Sequence, residues 1–147
     1  MLTPILILLA TIAYAAGTLL IARASLYIDS NLAGTIVNIL AGLIPMTVFF
    51  LIGVSQVSSP EKSRGILLAV LAGVAIAIFT ISLTKVFSLG GNLSYVTPVV
   101  YGGAILITSM VGWAAFKESI SLLQAAGIGM ILAGILLVAL ARAKVAV

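Results

Sequence analysis

Cysteine and histidine are both missing from the 147 residues, and charge is scarce, with seven Lys and Arg and three Asp and Glu making up 7% of the chain. Without thiols there is no disulfide framework and no thiolate metal ligand; without imidazole there is no conventional acid–base catalyst at neutral pH. The sequence therefore predicts no enzyme, no catalytic residue, no metal site and no cofactor. The seven Lys and Arg against three acids leave a net charge of +4, but the basic residues are scattered. They form no contiguous basic face of the kind nucleic acid requires, so a nucleic-acid partner is not expected either. So few charged side chains could not cover the surface of a soluble globule of 15.0 kDa.

What the chain does have is apolar surface: 63% of its residues are hydrophobic and its mean hydropathy is +1.40. A water-soluble domain of this size does not have that composition, so lipid is the expected solvent. The charges punctuate the sequence and leave five apolar stretches, at about 4–22, 31–57, 65–84, 95–116 and 122–141. A helix needs roughly 20 residues to cross about 30 Å of hydrocarbon, and each stretch is near that length. Spanning strands are excluded, because the runs lack polar alternation and are twice as long as a barrel strand. The first stretch has a rival reading as a secretory signal, with Ala13-Tyr14-Ala15 as a small-x-small cleavage site. No Lys or Arg precedes it and the apolar run continues to Ala22, which favours a membrane helix.

Five crossings put the N-terminus on the side of Lys62, Arg64 and Lys117, and leave Arg23, Lys85, Arg142 and Lys144 on the other. A chain with one fixed orientation usually shows a clear cytoplasmic excess of Lys and Arg. The near balance fits either a weak preference for a cytoplasmic C-terminus or insertion both ways up. Small residues recur at spacing four in three stretches: Gly34, Asn38 and Gly42; Ala69, Gly73 and Ala77; Ala125, Gly129 and Ala133. Such rows let helix backbones approach closely and suggest a compact bundle, with some rows left for a partner chain.

Function is sought among polar groups inside the apolar stretches, because they are costly in hydrocarbon without a partner or a watery cavity. Serine and threonine can satisfy themselves on the backbone one turn earlier, which makes Tyr14, Asn38 and Tyr101 the better candidates for lining a substrate cavity. Asn38 has an equally weighted structural reading as a link between helices. Pro45 and Pro98 each free a carbonyl and permit a kink of the kind that suits a rocking bundle. No carboxylate lies in the middle of an apolar stretch, so ion coupling through a buried acid has no obvious carrier. Glu61 and Glu118 stand beside basic neighbours and read as solvated or interfacial ion pairs.

The segment Val96-Thr97-Pro98-Val99-Val100-Tyr101, followed by Gly112-Trp113-Ala114-Ala115-Phe116-Lys117-Glu118-Ser119-Ile120, Gln124-Ala125-Ala126-Gly127-Ile128 and Ala133-Gly134-Ile135-Leu136, resembles the last two helices of an EamA repeat. Ala13 through Ser25 is similar to the first helix of the same drug/metabolite transporter superfamily, including its four-helix small multidrug resistance branch. The resemblance implies an all-α integral membrane protein in which residues 1–147 form a single EamA-like domain, half of a ten-helix transporter. It further implies a small-molecule transporter that works by alternating access as a homodimer, antiparallel if both orientations are inserted, in a prokaryotic plasma membrane. Tyr14 falls where the multidrug branch has a substrate- and proton-binding glutamate, which speaks against proton-coupled cation export. Glu118 matches a loop acid of structural role, and Gly127 and Gly134 belong with Pro45 and Pro98 as structural or gating positions. Two alternatives stay open: a multidrug-like cation exporter, and a non-transporting scaffold or accessory subunit of a lipid-carrier flippase.

Overall fold

The structure, a computed structural model, describes residues 2–53 and 62–145. Five helices follow one another: α1 (Leu2–Ala24), α2 (Ser30–Ile52), α3 (Lys62–Ser88), α4 (Leu93–Ala114) and α5 (Leu122–Val145). All five are long and apolar enough to cross a membrane, which makes this an all-helical, multi-pass integral membrane protein.

The helix ends differ by a few residues from those read off the apolar runs, and several of the differences have a local cause. α2 stops at Ile52, because Gly53 takes a left-handed φ of 78° and donates its N–H to Phe49 O. Residues 54–57, expected to extend this helix, lie outside the described residues. α3 runs past the expected end at Thr84 to Ser88, carrying Lys85 in its last turn, where a cation complements the helix dipole. α4 ends at Ala114 instead of 116, in a turn that makes Lys117 left-handed at φ 54°. α5 continues beyond 141 to Val145. Its start is set by a reciprocal cap: Ser121 N–H donates to Gln124 Oε1 at 2.9 Å, and Gln124 N–H to Ser121 Oγ at 3.2 Å.

The chain divides into two compact units, Met1–Gly90 and Gly91–Val147. In the first, α3 is flanked by α1 and α2. The tight turn at 25–29 ends on Asp29, whose carboxylate caps α2 by accepting from the N–H groups of Asn31 at 2.8 Å and Leu32 at 3.3 Å. Beside this turn lie Ala33, Leu83, Phe87, Thr18, Ser25, Ser30, Thr80 and Thr84, all buried. Gly34 brings α2 against α3 here: a Cβ added to it would stand 3.5 Å from Thr84 Oγ1 and 3.6 Å from Ile81 Cγ1. The other end of the unit is open, since every described residue of 2–16, 39–53 and 63–76 is exposed.

The small-residue rows thus do only part of what their spacing suggests. Gly34 works as a contact, whereas an added Cβ at Gly42 or Gly73 would meet nothing within 4 Å. In the second unit α4 packs on α5 through a glycine outside the expected row. A Cβ on Gly102 would collide with the Ile135 side chain, while one on Gly129 would meet nothing.

Candidate functional site

Tyr14 and Asn38 belong to the first unit and Tyr101 to the second. Tyr14 sits on α1 with half of its surface exposed, 51%, and both Tyr14 and Tyr101 interact with other groups. Asn38 is half-buried, and its Nδ2 donates to Gly34 O at 2.8 Å, one turn back on its own helix. The carboxamide therefore satisfies part of its hydrogen-bonding capacity locally, much as the hydroxyls do. Pro45 lies inside α2 and Pro98 inside α4, both within continuous helix. Gly127 and Gly134 have open space where a Cβ would be.

The hydroxyls divide into a rule and an exception. Thr11, Thr18, Thr35, Thr47, Thr80 and Thr108 each donate to the carbonyl four residues earlier, at 2.8–2.9 Å. Thr97 does not: its Oγ1 is buried and has no hydrogen-bond partner among the described residues. It stands one residue before Pro98, which has no N–H to give to Ser94 O, and one helical turn before Tyr101. A hydroxyl acceptor and donor, a carbonyl released from the ladder and a phenol hydroxyl thus fall within two turns of α4. Sequence reasoning selected Tyr101 and Pro98 but passed over Thr97, since threonine in a helix ordinarily bonds its own backbone. Only the orphaned oxygen marks it out.

Glu118 occupies a second feature, the α4–α5 turn. Its N–H donates to Gly112 O at 3.0 Å, and its carboxylate lies over Gly112, where an added Cβ would be 2.7 Å from Oε2. The expected ion pair with Lys117 does not form, as no nitrogen–oxygen contact within 4.0 Å joins them. The left-handed backbone at Lys117 and the seating of Glu118 on Gly112 account for this. Glu61 lies outside the described residues. Among the described residues no cluster of three or more Asp, Glu, His or Cys is placed to hold a metal ion.

Compared with family models, with characterised proteins and with solved structures, the chain matches none.

Proposed function

We propose that the chain is a small-molecule secondary transporter of the drug/metabolite transporter type, working by alternating access as an antiparallel homodimer of five-helix EamA-like units in a prokaryotic plasma membrane. The observation that carries this reading is Thr97 Oγ1, buried without a partner beside the backbone gap at Pro98. An unpaired buried hydroxyl costs roughly 1–3 kcal/mol, a cost that a polar substrate removes when it supplies the missing hydrogen bond. Tyr101, one turn on, adds an aromatic face and a second hydroxyl; Tyr14 and Asn38, in the first unit, are separate candidate substrate contacts. Pro98 and Pro45 let α4 and α2 bend as the cavity changes sides. The near balance of Lys and Arg supports the inverted insertion of a partner copy.

Liposomes that carry the purified protein and a small-molecule extract of prokaryotic cytosol would test this. One or more polar compounds should leave the lumen faster than from protein-free liposomes, with release reduced in Thr97→Val and Tyr14→Ala and helicity preserved. If no compound is released above the protein-free rate, the transport reading fails. A second reading, a scaffold or accessory subunit, would seat a different chain against the exposed end of α1, α2 and α3. Co-purification of a different chain at fixed stoichiometry would select it. A cation exporter would instead change the pH of the lumen as it worked.

A further inference from the structure

The α4–α5 turn holds opposite charges that the fold keeps apart. Lys117 and Glu118 are neighbours in sequence and both exposed, yet they are not paired. Lys117 adopts a backbone conformation uncommon for a non-glycine residue. Glu118 is held by its own N–H on Gly112 O, and its carboxylate lies over Gly112, where an added Cβ would be 2.7 Å from Oε2 and would displace it. That seat lies at the C-terminal end of α4, the negative end of the helix dipole. A carboxylate there is disfavoured until a cation arrives. Of the last carbonyls of α4, this turn occupies Val111 O and Gly112 O and gives no partner to those of Trp113 and Ala114. The surroundings of Glu118 are thus rich in acceptors, with the Lys117 cation one residue away.

Two clefts meet at this point and share Glu118, Ser119 and Ile120. The larger, about 700 Å3, is completed by Trp113, Ala114 and Lys117. The other, about 400 Å3, is completed by Ser109, Gln124, Gly127, Ile128 and Ile131. From Gln124 to Ile131 it follows α5 for about 10 Å along the helix axis, turning from polar to apolar as it goes. Gly127 keeps it wide, since a Cβ there would meet nothing within 4 Å. In a pair of spanning helices this turn lies at headgroup depth, where exposed aromatic residues such as Trp113 and Phe116 are at home.

We propose that the turn is a binding site for a zwitterionic phospholipid bearing a primary ammonium. The ammonium is held by Glu118, the phosphate by Lys117, and one acyl chain lies in the groove over Gly127. A primary ammonium fits better than a quaternary one, because the acceptors around Glu118 need N–H donors. A purely anionic headgroup would satisfy Lys117 but face the Glu118 carboxylate. A second copy of this chain is the competing occupant of the groove.

Trp113 is the single tryptophan of the chain, so its fluorescence reports on this place alone. The full chain, in phosphatidylcholine bilayers, would be titrated with phosphatidylethanolamine, phosphatidylcholine or phosphatidylglycerol carrying brominated acyl chains, which quench tryptophan. Phosphatidylethanolamine should quench at the lowest mole fraction. Glu118→Gln should weaken that preference by about tenfold, the worth of one charge-assisted hydrogen bond. Gly127→Leu should abolish it by filling the groove, and Lys117→Gln, which disturbs no packed glycine, should weaken quenching by all three lipids, whose shared phosphate it holds; unchanged quenching would overturn the role of Lys117. Equal quenching by all three lipids would overturn the proposal. So would weak quenching by every lipid together with cross-linking between copies through a cysteine beside Trp113. Soluble phosphoethanolamine should fail to displace the brominated lipid; displacement at matching concentration would overturn the role of the acyl chain and leave a free headgroup as the ligand.

Discussion

At one end of the first unit, the closest-packed side chains are Thr84, fully buried, and Phe87, 2% exposed, joined by Thr18, Ser25, Ser30, Ala33, Thr80 and Leu83. At the other end stand Leu, Ile, Val and Phe residues, every one of them exposed. In a water-soluble protein this distribution would be inverted. In lipid it is expected, because acyl chains solvate leucine as well as a neighbouring leucine does, so burial of large aliphatic side chains no longer drives helices together. Close approach does, and here it is made by Gly34 and by hydroxyls that cost little to bury. Thr18, Ser25 and Thr80 each donate to a carbonyl one turn earlier, at 2.9 Å. The open end is solvated by lipid or by another copy of the chain.

Substitutions matched between the two ends would break or sharpen this contrast. Phe87→Ala should cost the most, about 3 kcal/mol of stability to denaturing detergent, as for a large side chain deleted from a packed site. Phe50→Ala, at the open end, should stay within about 0.5 kcal/mol. Similar losses at both sites would show that the open end is covered by protein. Gly34→Leu should come next at about 2 kcal/mol, since overpacking forces α2 and α3 apart, while Gly42→Leu should be close to neutral. Asp29→Ala removes the cap that starts α2 and should lower stability by about 1 kcal/mol, read in the same unfolding assay. Among the changes at the packed end, the smallest effect should be that of Thr80→Val, below about 1 kcal/mol, because its hydroxyl bonds only its own helix. A larger loss would reveal a bond between helices.

The number and kind of helices were legible in the sequence because hydropathy and span length are properties of each segment alone. Their ends were less so. The apolar run continues to Val57, yet α2 stops where Gly53 turns left-handed, and α3 carries Lys85 inside its last turn, where a long side chain can reach toward polar surroundings. The start of α5 could have been read from Ser121 and Gln124, spaced as a capping box. Seams were legible only in part: spacing picked out Gly34 correctly but gave equal weight to Gly42 and Gly73, and it passed over Gly102, which faces Ile135. Spacing says which residues share a face, not which face meets a neighbour. The candidate site shows the same limit. Tyr101 and Pro98 can be selected by residue type, whereas Thr97 stands out only because its hydroxyl lacks the bond that other threonines make. Glu118 looked like one half of an ion pair until the backbone at Lys117 set the two charges apart.

The proposal that two inverted copies form one transporter is tested most directly by orientation. The chain has no cysteine, so a single one appended at the C-terminus can be labelled in cells with a membrane-impermeant thiol reagent, before and after permeabilisation. Labelling of about half the molecules before permeabilisation is the expected result for insertion both ways up. Labelling of all or none would establish one fixed topology and contradict the antiparallel pair.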